Sequence, residues 1–326
     1  MPDEGASTSG EPALELRDLR KSFGAHVALD GISLTVPHGS IFGFLGPNGA
    51  GKTTTIRIVT GLARATSGDV RVLGRDVTIG ARDVMARVGF LPDVPGFYDW
   101  MTGAEFLTYA GRLFGLGGSA LRSRVDDLLD LAGLGEVRTR IGGYSRGMKQ
   151  RLGIAQALVN APELLILDEP TSALDPIGRR DVLQTVASLR GRATVFFSTH
   201  ILGDVERTCD TVAILDRGRV VAQSGVAALK QRGGAPRVLL VTDTSPLDLA
   251  GRLRGAGWVV HAEVLLAGDR AGDPARDALR LTVTDASVAA RELPRALADA
   301  GVGLVRLEQE EPSLEETFVQ LVGGGP

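Results

Sequence analysis

The residues of this 326-residue chain best suited to phosphate chemistry are a lysine and a threonine closing a glycine-rich loop and two carboxylates closing an apolar run. Gly46-Pro47-Asn48-Gly49-Ala50-Gly51-Lys52-Thr53-Thr54 fits the pattern G-x-x-x-x-G-K-[ST] at every fixed position. Glycines at these places let the backbone wrap a triphosphate with its N–H groups pointing inward. The N-terminus of a following helix adds partial positive charge. Lys52 is then expected to reach the β- and γ-phosphates, and Thr53 to offer its hydroxyl to Mg²⁺. Further along, Leu164-Leu165-Ile166-Leu167 runs into Asp168-Glu169. An apolar strand that delivers two carboxylates to the C-terminal edge of a sheet places them where ligands of open α/β sheets bind. Asp168 is expected in the Mg²⁺ shell, and Glu169 is expected to polarise an attacking water. The plain alternative is a strand end that simply carries charge.

These residues need a rigid frame, and the flanking pattern describes one. The short apolar run 41–45 before the loop has strand character, and Ile56, Val59 and Thr60 share one helical face after it. Residues 13–19, 27–29, 32–36 and 41–45 read as strands, with turns at Phe23-Gly24 and Pro37-His38-Gly39. A strand pair at 68–73 and 88–91 continues the β pattern. From 102 to about 140 the periodicity is helical, so a helical subdomain over about 95–160 interrupts the β order. A helix over 145–159 buries Met148, Leu152, Ala155 and Val159. The continuous apolar runs 164–167, 194–198 and 212–215 read as strands buried on both faces of a parallel sheet, with helices 178–189 and 201–208 between them. Fold class is therefore α/β, of the phosphate-loop type. Gln231 to Pro236 reads as a linker, and beyond it the order βαββαβ over 237–326 predicts a small ferredoxin-like α+β domain. A last helix starts at the capping box Ser313-Leu314-Glu315-Glu316 and would bury Leu314, Phe318 and Leu321.

Bulk properties narrow the function. The net charge is −3, from 36 basic and 39 acidic residues, so nucleic-acid binding has no electrostatic support. The single cysteine, Cys209, allows no intramolecular disulfide or thiolate cluster and reads as a small buried apolar residue. The four histidines lie far apart and have no metal-ligand spacing. Residues 1–12 are polar and acidic, unlike a secretory leader, and read as a disordered tail. No apolar run approaches the roughly 20 residues that cross a bilayer. A cytoplasmic protein is expected, with any membrane spanning done by another chain.

The ordered set of motifs over about 13–225 resembles the nucleotide-binding subunit of an ATP-binding cassette (ABC) transporter. Tyr144-Ser145-Arg146-Gly147-Met148 sits where that family has its Leu-Ser-Gly-Gly-Gln signature. Ser172-Ala173-Leu174-Asp175 resembles the D-loop, and His200 the switch histidine. Phe23 falls where an aromatic residue stacks on adenine, and Asp93 where the family has a metal-coordinating glutamine. The resemblance implies ATP and Mg²⁺, with Thr53, Asp168 and Asp93 toward the metal and His200 at the γ-phosphate. It also implies that Ser145 and Gly147 act on ATP held by a second copy, with Asp175 organising the interface. Arg146 and Met148 depart from the family signature. The segment ending Glu311-Pro312-Ser313-Leu314-Glu315-Glu316-Thr317-Phe318 is similar to the C-terminal extension of daunorubicin-type drug-resistance exporter ATPases. The implied protein is a dimeric ATPase on the inner face of the cell membrane that energises a separate permease. Phe97, Tyr98 and Trp100 are either a patch for that permease or core of the helical subdomain. Two other functions share the cassette: a soluble ABC ATPase acting on nucleic acid or ribosomes, and a regulatory module that binds ATP without turning it over.

Overall fold

A computed structural model describes residues 11–77, 82–172, 174–232, 235–266, 277–310 and Phe318. The chain divides into two compact units at Val226/Ala227. The first carries the phosphate loop, the carboxylate pair, the signature segment, the D-loop and His200. It opens with β1 (Leu14–Phe23), β2 (His26–Val36) and β3 (Ile41–Leu45), then α1 (Lys52–Val59), β4 (Ser67–Val72), β5 (Arg75–Asp76), the short α2 (Arg82–Met85) and β6 (Val88–Leu91). Next come α3 (Gly103–Leu113), α4 (Gly118–Leu131) and α5 (Arg146–Ala157). The alternation then resumes as β7 (Leu164–Leu167), α6 (Pro176–Ala187), β8 (Thr194–Thr199), α7 (Leu202–Thr208), β9 (Thr211–Asp216) and β10 (Arg219–Gly225).

Six strands form the central sheet in the order β10-β9-β3-β8-β7-β6. The pairs β6/β7, β7/β8, β8/β3 and β3/β9 are parallel, and β10 closes one edge antiparallel. Every residue of β3, β7 and β8 is buried, as the unbroken apolar runs require of strands covered on both faces. Registers Leu45↔Thr199 and Leu167↔Phe197 bring the C-terminal ends of β3, β8 and β7 to one edge. Gly46, Asp168 and His200 therefore leave neighbouring strands side by side. A second sheet, β2-β1-β4-β5, is antiparallel. The core holds Phe42, Phe44 and Phe196, with ring centroids 5.7 and 5.2 Å apart, together with Leu14, Leu16, Ile32 and Val70. Cys209 is buried in the first unit, and burial pushes its thiol well above the ordinary value.

Two sequence expectations need correction. Segments 27–29 and 32–36 are one strand, β2, because Gly31 takes a φ of +79° and carries the chain through a bend without ending the pairing. Segments 68–73 and 88–91 do not pair with each other. β4 joins β1 in the antiparallel sheet, whereas β6 lies parallel to β7 in the central one.

All of α8 (Val226–Arg232) but its first residue belongs to the second unit, so Gln231 and Arg232, expected in a linker, are helical. The unit continues with β11 (Arg237–Thr242), α9 (Leu247–Leu253), β12 (Val259–Leu265), β13 (Ala278–Val283), α10 (Ala286–Ala300) and β14 (Leu304–Glu310). The four strands make an antiparallel α+β sheet ordered β12-β13-β11-β14. Leu240, Leu279 and Leu281 pack with Leu249, Leu253, Leu293 and Leu297 to form its core. The N-terminal tail to residue 10, Gly233-Gly234 and the expected last helix, apart from Phe318, lie outside the described residues.

Candidate active site at the sheet edge

The glycine loop is built to bring backbone close to backbone. Gly51 holds φ at +109° at the N-cap of α1, a conformation side chains rarely adopt. A Cβ on Gly46 would stand 2.4 Å from the Leu215 carbonyl oxygen, so this turn tolerates no side chain. Ala50 is buried, while Pro47, Asn48 and Gly49 present the loop to solvent. Lys52 is almost wholly buried, and its ammonium donates to the carbonyls of Gly46 (2.6 Å) and Pro47 (3.1 Å). It also stands 3.1 Å from Glu169 Oε1.

Opposite the loop, β7 ends in the carboxylate pair. Glu169 takes a φ of +47°, a strained conformation for a residue with a side chain. Its backbone N–H donates to Ser198 Oγ (3.0 Å), which holds that turn. Its Oε2 pairs with His200 Nδ1 at 2.9 Å. Oε1 makes no hydrogen bond despite its burial, and the Lys52 ammonium beside it donates to the loop carbonyls. Asp168 accepts from Ser198 Oγ (2.6 Å) and from Thr53 Oγ1 (3.4 Å). Burial raises its pKa above the ordinary carboxylate value, with the two hydroxyl donors opposing the rise and the charges of Asp93 and Glu169 adding to it.

A cleft of about 510 Å³ lies over this floor, lined among others by Phe23, Asn48, Gly49, Gly51, Lys52, Thr53, Thr54, Asp93, Glu169 and His200. Segments far apart in sequence thus converge on one triphosphate-sized space. Asp93 is exposed and faces the cleft. The oxygen donors Thr53, Asp168 and Asp93 fit a hard cation such as Mg²⁺, which takes one or two protein ligands and fills its shell with phosphate and water. That donor set suits Mg²⁺ better than a metal needing an all-protein cage.

Ser145, Gly147 and Asp175 do not line the cleft. Ser145 caps α5, accepting from the Met148 N–H (3.2 Å), and is exposed. Asp175 caps α6, accepting from the Gly178 N–H (2.9 Å). These two helix starts lie against each other: a Cβ on Gly147 would sit 3.5 Å from Gly178 Cα. Ala173 of the same loop lies outside the described residues. Phe97 packs against Phe106 at 5.2 Å, whereas Tyr98 and Trp100 are exposed by 45% and 63%. The aromatic run thus divides between subdomain core and surface.

Sequence reasoning missed Ser198, whose hydroxyl joins both carboxylate positions. The available signal was a polar Ser198-Thr199 pair closing an otherwise apolar strand at the ligand-binding edge. His26 and Ser172 also line the cleft. Nothing in local spacing marks His26, which arrives only through the hairpin that pairs it with Phe23.

Residues 29–172 match the ABC transporter domain family. An uncharacterised ABC transporter ATP-binding protein of Bacillus subtilis is 38% identical, over 95% of this chain and 99% of its own length. A daunorubicin resistance ATP-binding protein of Streptomyces coeruleorubidus is 37% identical over 96% of each chain. Among solved structures, an ATP-binding subunit of an ABC transporter superposes with a TM-score of 0.61 at 31% identity, covering 68% of this chain and 92% of that one.

Proposed function

The chain belongs to the ABC transporter ATP-binding proteins, and from that membership we propose that two copies close around two ATP molecules to drive a membrane-spanning exporter permease. Nucleotide binding and ATP hydrolysis come with the family. The dimer, the export direction and the residue roles are the proposal. The observation that carries it is Glu169, placed between Lys52 and His200 with one oxygen left without a hydrogen bond.

In this reading the loop from Gly46 to Thr54 cradles the phosphates, Lys52 exchanges its carbonyl partners for phosphate oxygens, and Phe23 stacks on the base. Thr53, Asp168 and Asp93 would hold Mg²⁺, which would supply neutralisation of the phosphate charge. Glu169 accepts a hydrogen bond from the attacking water. The water oxygen bonds to the γ-phosphorus as the β,γ-bridging P–O bond breaks, and its electron pair leaves on ADP. One water proton passes to Glu169 and then to solvent. His200, oriented by Glu169, contacts the γ-phosphate. Ser145 and Gly147 of a second copy complete the site, a role supported by their position outside their own chain's cleft.

The permease would be a separate chain, since no helix among the described residues is long and apolar enough to cross a membrane. The exposed Tyr98 and Trp100 offer it a docking point at the inner membrane face. The daunorubicin resistance relative supports a drug, antibiotic or lipid-like cargo. The second unit serves as a ferredoxin-like accessory domain.

Complementation tests the composite site. Ser145→Ala and Lys52→Ala copies should each be inactive alone. Mixed, they should recover about a quarter of parental activity, since random pairing in a two-fold dimer rebuilds one intact site in half the dimers. If mixing restores nothing while each variant still binds its partner, the shared-site reading fails.

A further inference from the structure

The carboxylate of Asp204 lies outside the cleft, is fully buried, and accepts two hydrogen bonds from segments on different sides of it. Thr171 Oγ1, two residues beyond Glu169, donates to Oδ2 at 2.6 Å. Arg179 Nε, in the first turns of α6, donates to Oδ1 at 2.6 Å. Asp204 itself sits in α7, just past His200. The Arg179 guanidinium also lies along α7, since a Cβ on Gly203 would stand 3.6 Å from Nη2. One carboxylate thus ties together the segment after Glu169, the helix after His200 and the helix capped by Asp175. From α6 the contact continues through Gly178 to Gly147 beside Ser145.

A buried carboxylate is costly unless each oxygen finds a donor, and removing one partner leaves the charge uncompensated. The arrangement therefore has few alternatives: Thr171, α6 and α7 hold their spacing together or not at all. A shift in the Glu169–His200 turn must be followed by α6, and α6 abuts the segment that carries Ser145.

We propose that Asp204 is a positioning residue that locks the Glu169–His200 pair to α6, and through Gly178 to the Ser145 segment, so that a chain's own hydrolytic site and the segment it lends to the other site move as a unit. The proposal rests on the dimer reading above. It gives a buried, non-contacting residue control over turnover and over communication between the two sites.

The test uses the full-length chain and its ATPase, with binding of a fluorescent ATP analogue and thermal melts in parallel. Thr171→Val keeps volume and removes one donor; Arg179→Met removes the other; Asp204→Ala removes both, and Asp204→Glu restores the charge. We expect Thr171→Val and Arg179→Met to melt below the parent, as unpairing a buried charge requires, and kcat, measured well below either melt, to fall about tenfold or more with KM for ATP nearly unchanged. The double variant should lose less than the product of the two single losses, the sign of a shared network. The Hill coefficient for ATP should fall toward one, and Asp204→Glu should recover part of the loss seen in Asp204→Ala. Parental kcat and Hill coefficient in folded Thr171→Val and Arg179→Met overturn the proposal, as does a kcat loss no larger than that of an equally destabilising core variant remote from the cleft. His200→Ala in the same panel separates the readings: if it turns over normally, the hydrolytic assignment fails. If it is inactive while Thr171→Val and Arg179→Met match the parent, only the positioning role fails.

Discussion

Glu169 and His200 form a pair, with Oε2 of the carboxylate 2.9 Å from Nδ1 of the imidazole. An ionised carboxylate only accepts, so in that state Nδ1 is the donor of the pair, and the imidazole lines the cleft. The pair exists because β7 and β8 are parallel neighbours paired up to Leu167↔Phe197, and because Glu169 adopts a left-handed turn that Ser198 holds.

Glu169→Gln keeps an oxygen to accept from His200 but cannot take a proton from water. Turnover should fall by about 10²–10⁴, the usual share of a general base. ATP binding should persist, and the variant should accumulate as an ATP-bound dimer by size exclusion. Hydrolysis at the parental rate would show that this carboxylate is not the base.

His200→Ala should abolish measurable turnover and leave ATP affinity within a few-fold of the parent. Isothermal titration with ATP alongside a phosphate-release assay separates the two quantities. Retained turnover would remove His200 from the chemistry.

Asp168→Asn should stabilise the nucleotide-free protein at neutral pH while destroying its response to Mg²⁺. Burial raises the Asp168 value above that of the unfolded chain, so the native state binds its proton more tightly. Its contribution to stability is therefore greatest below the unfolded value and is lost as pH rises through the folded one. The melting-temperature advantage of the variant should appear above that range and vanish in acid. Protons and Mg²⁺ compete for this carboxylate. Mg²⁺-dependent stabilisation of the ATP complex should weaken at a higher pH than an ordinary aspartate would dictate. A variant advantage that grows in acid would contradict this.

Gly51→Ala forces a side chain to φ +109° and sets its Cβ 2.6 Å from Leu29 Cδ2. Strain at such a position costs about 1–3 kcal/mol, readable in urea melts, and ATP affinity should drop with it. An unchanged melt and affinity would show that the loop relaxes freely.

Trp100→Ala should leave basal ATPase and melting temperature near the parental values, because the ring is 63% exposed. Co-purification with a co-expressed membrane-spanning permease partner should decline. Unaltered co-purification would move the docking point elsewhere.

Much of the chemistry was legible in order along the chain. The phosphate loop is local: strand, glycines, Lys52 and helix start are consecutive, so their geometry follows from backbone sterics and helix polarity. The buried strands were equally legible, because a strand covered on both faces must be apolar throughout. The Ser145, Thr102 and Asp175 caps are likewise short-range. Pairing is not local. No periodicity tells that β4 belongs with β1 while β6 lies beside β7, since that choice is made by the packing of two sheets. The same holds for Ser198 between the two carboxylate positions, His26 in the cleft, and Asp204 between Thr171 and Arg179. Their partners lie 25–33 residues away for Ser198 and Asp204, and only tertiary structure decides which polar groups share a buried space. The sequence by itself determined the order of strand, glycine loop, lysine and helix start that marks a phosphate-binding loop, and which side chains are candidates to meet a nucleotide. The tertiary structure decided how Glu169 is oriented and that Ser145 is exposed outside the lining of its own chain's cleft, because orientation and exposure are set by packing between elements.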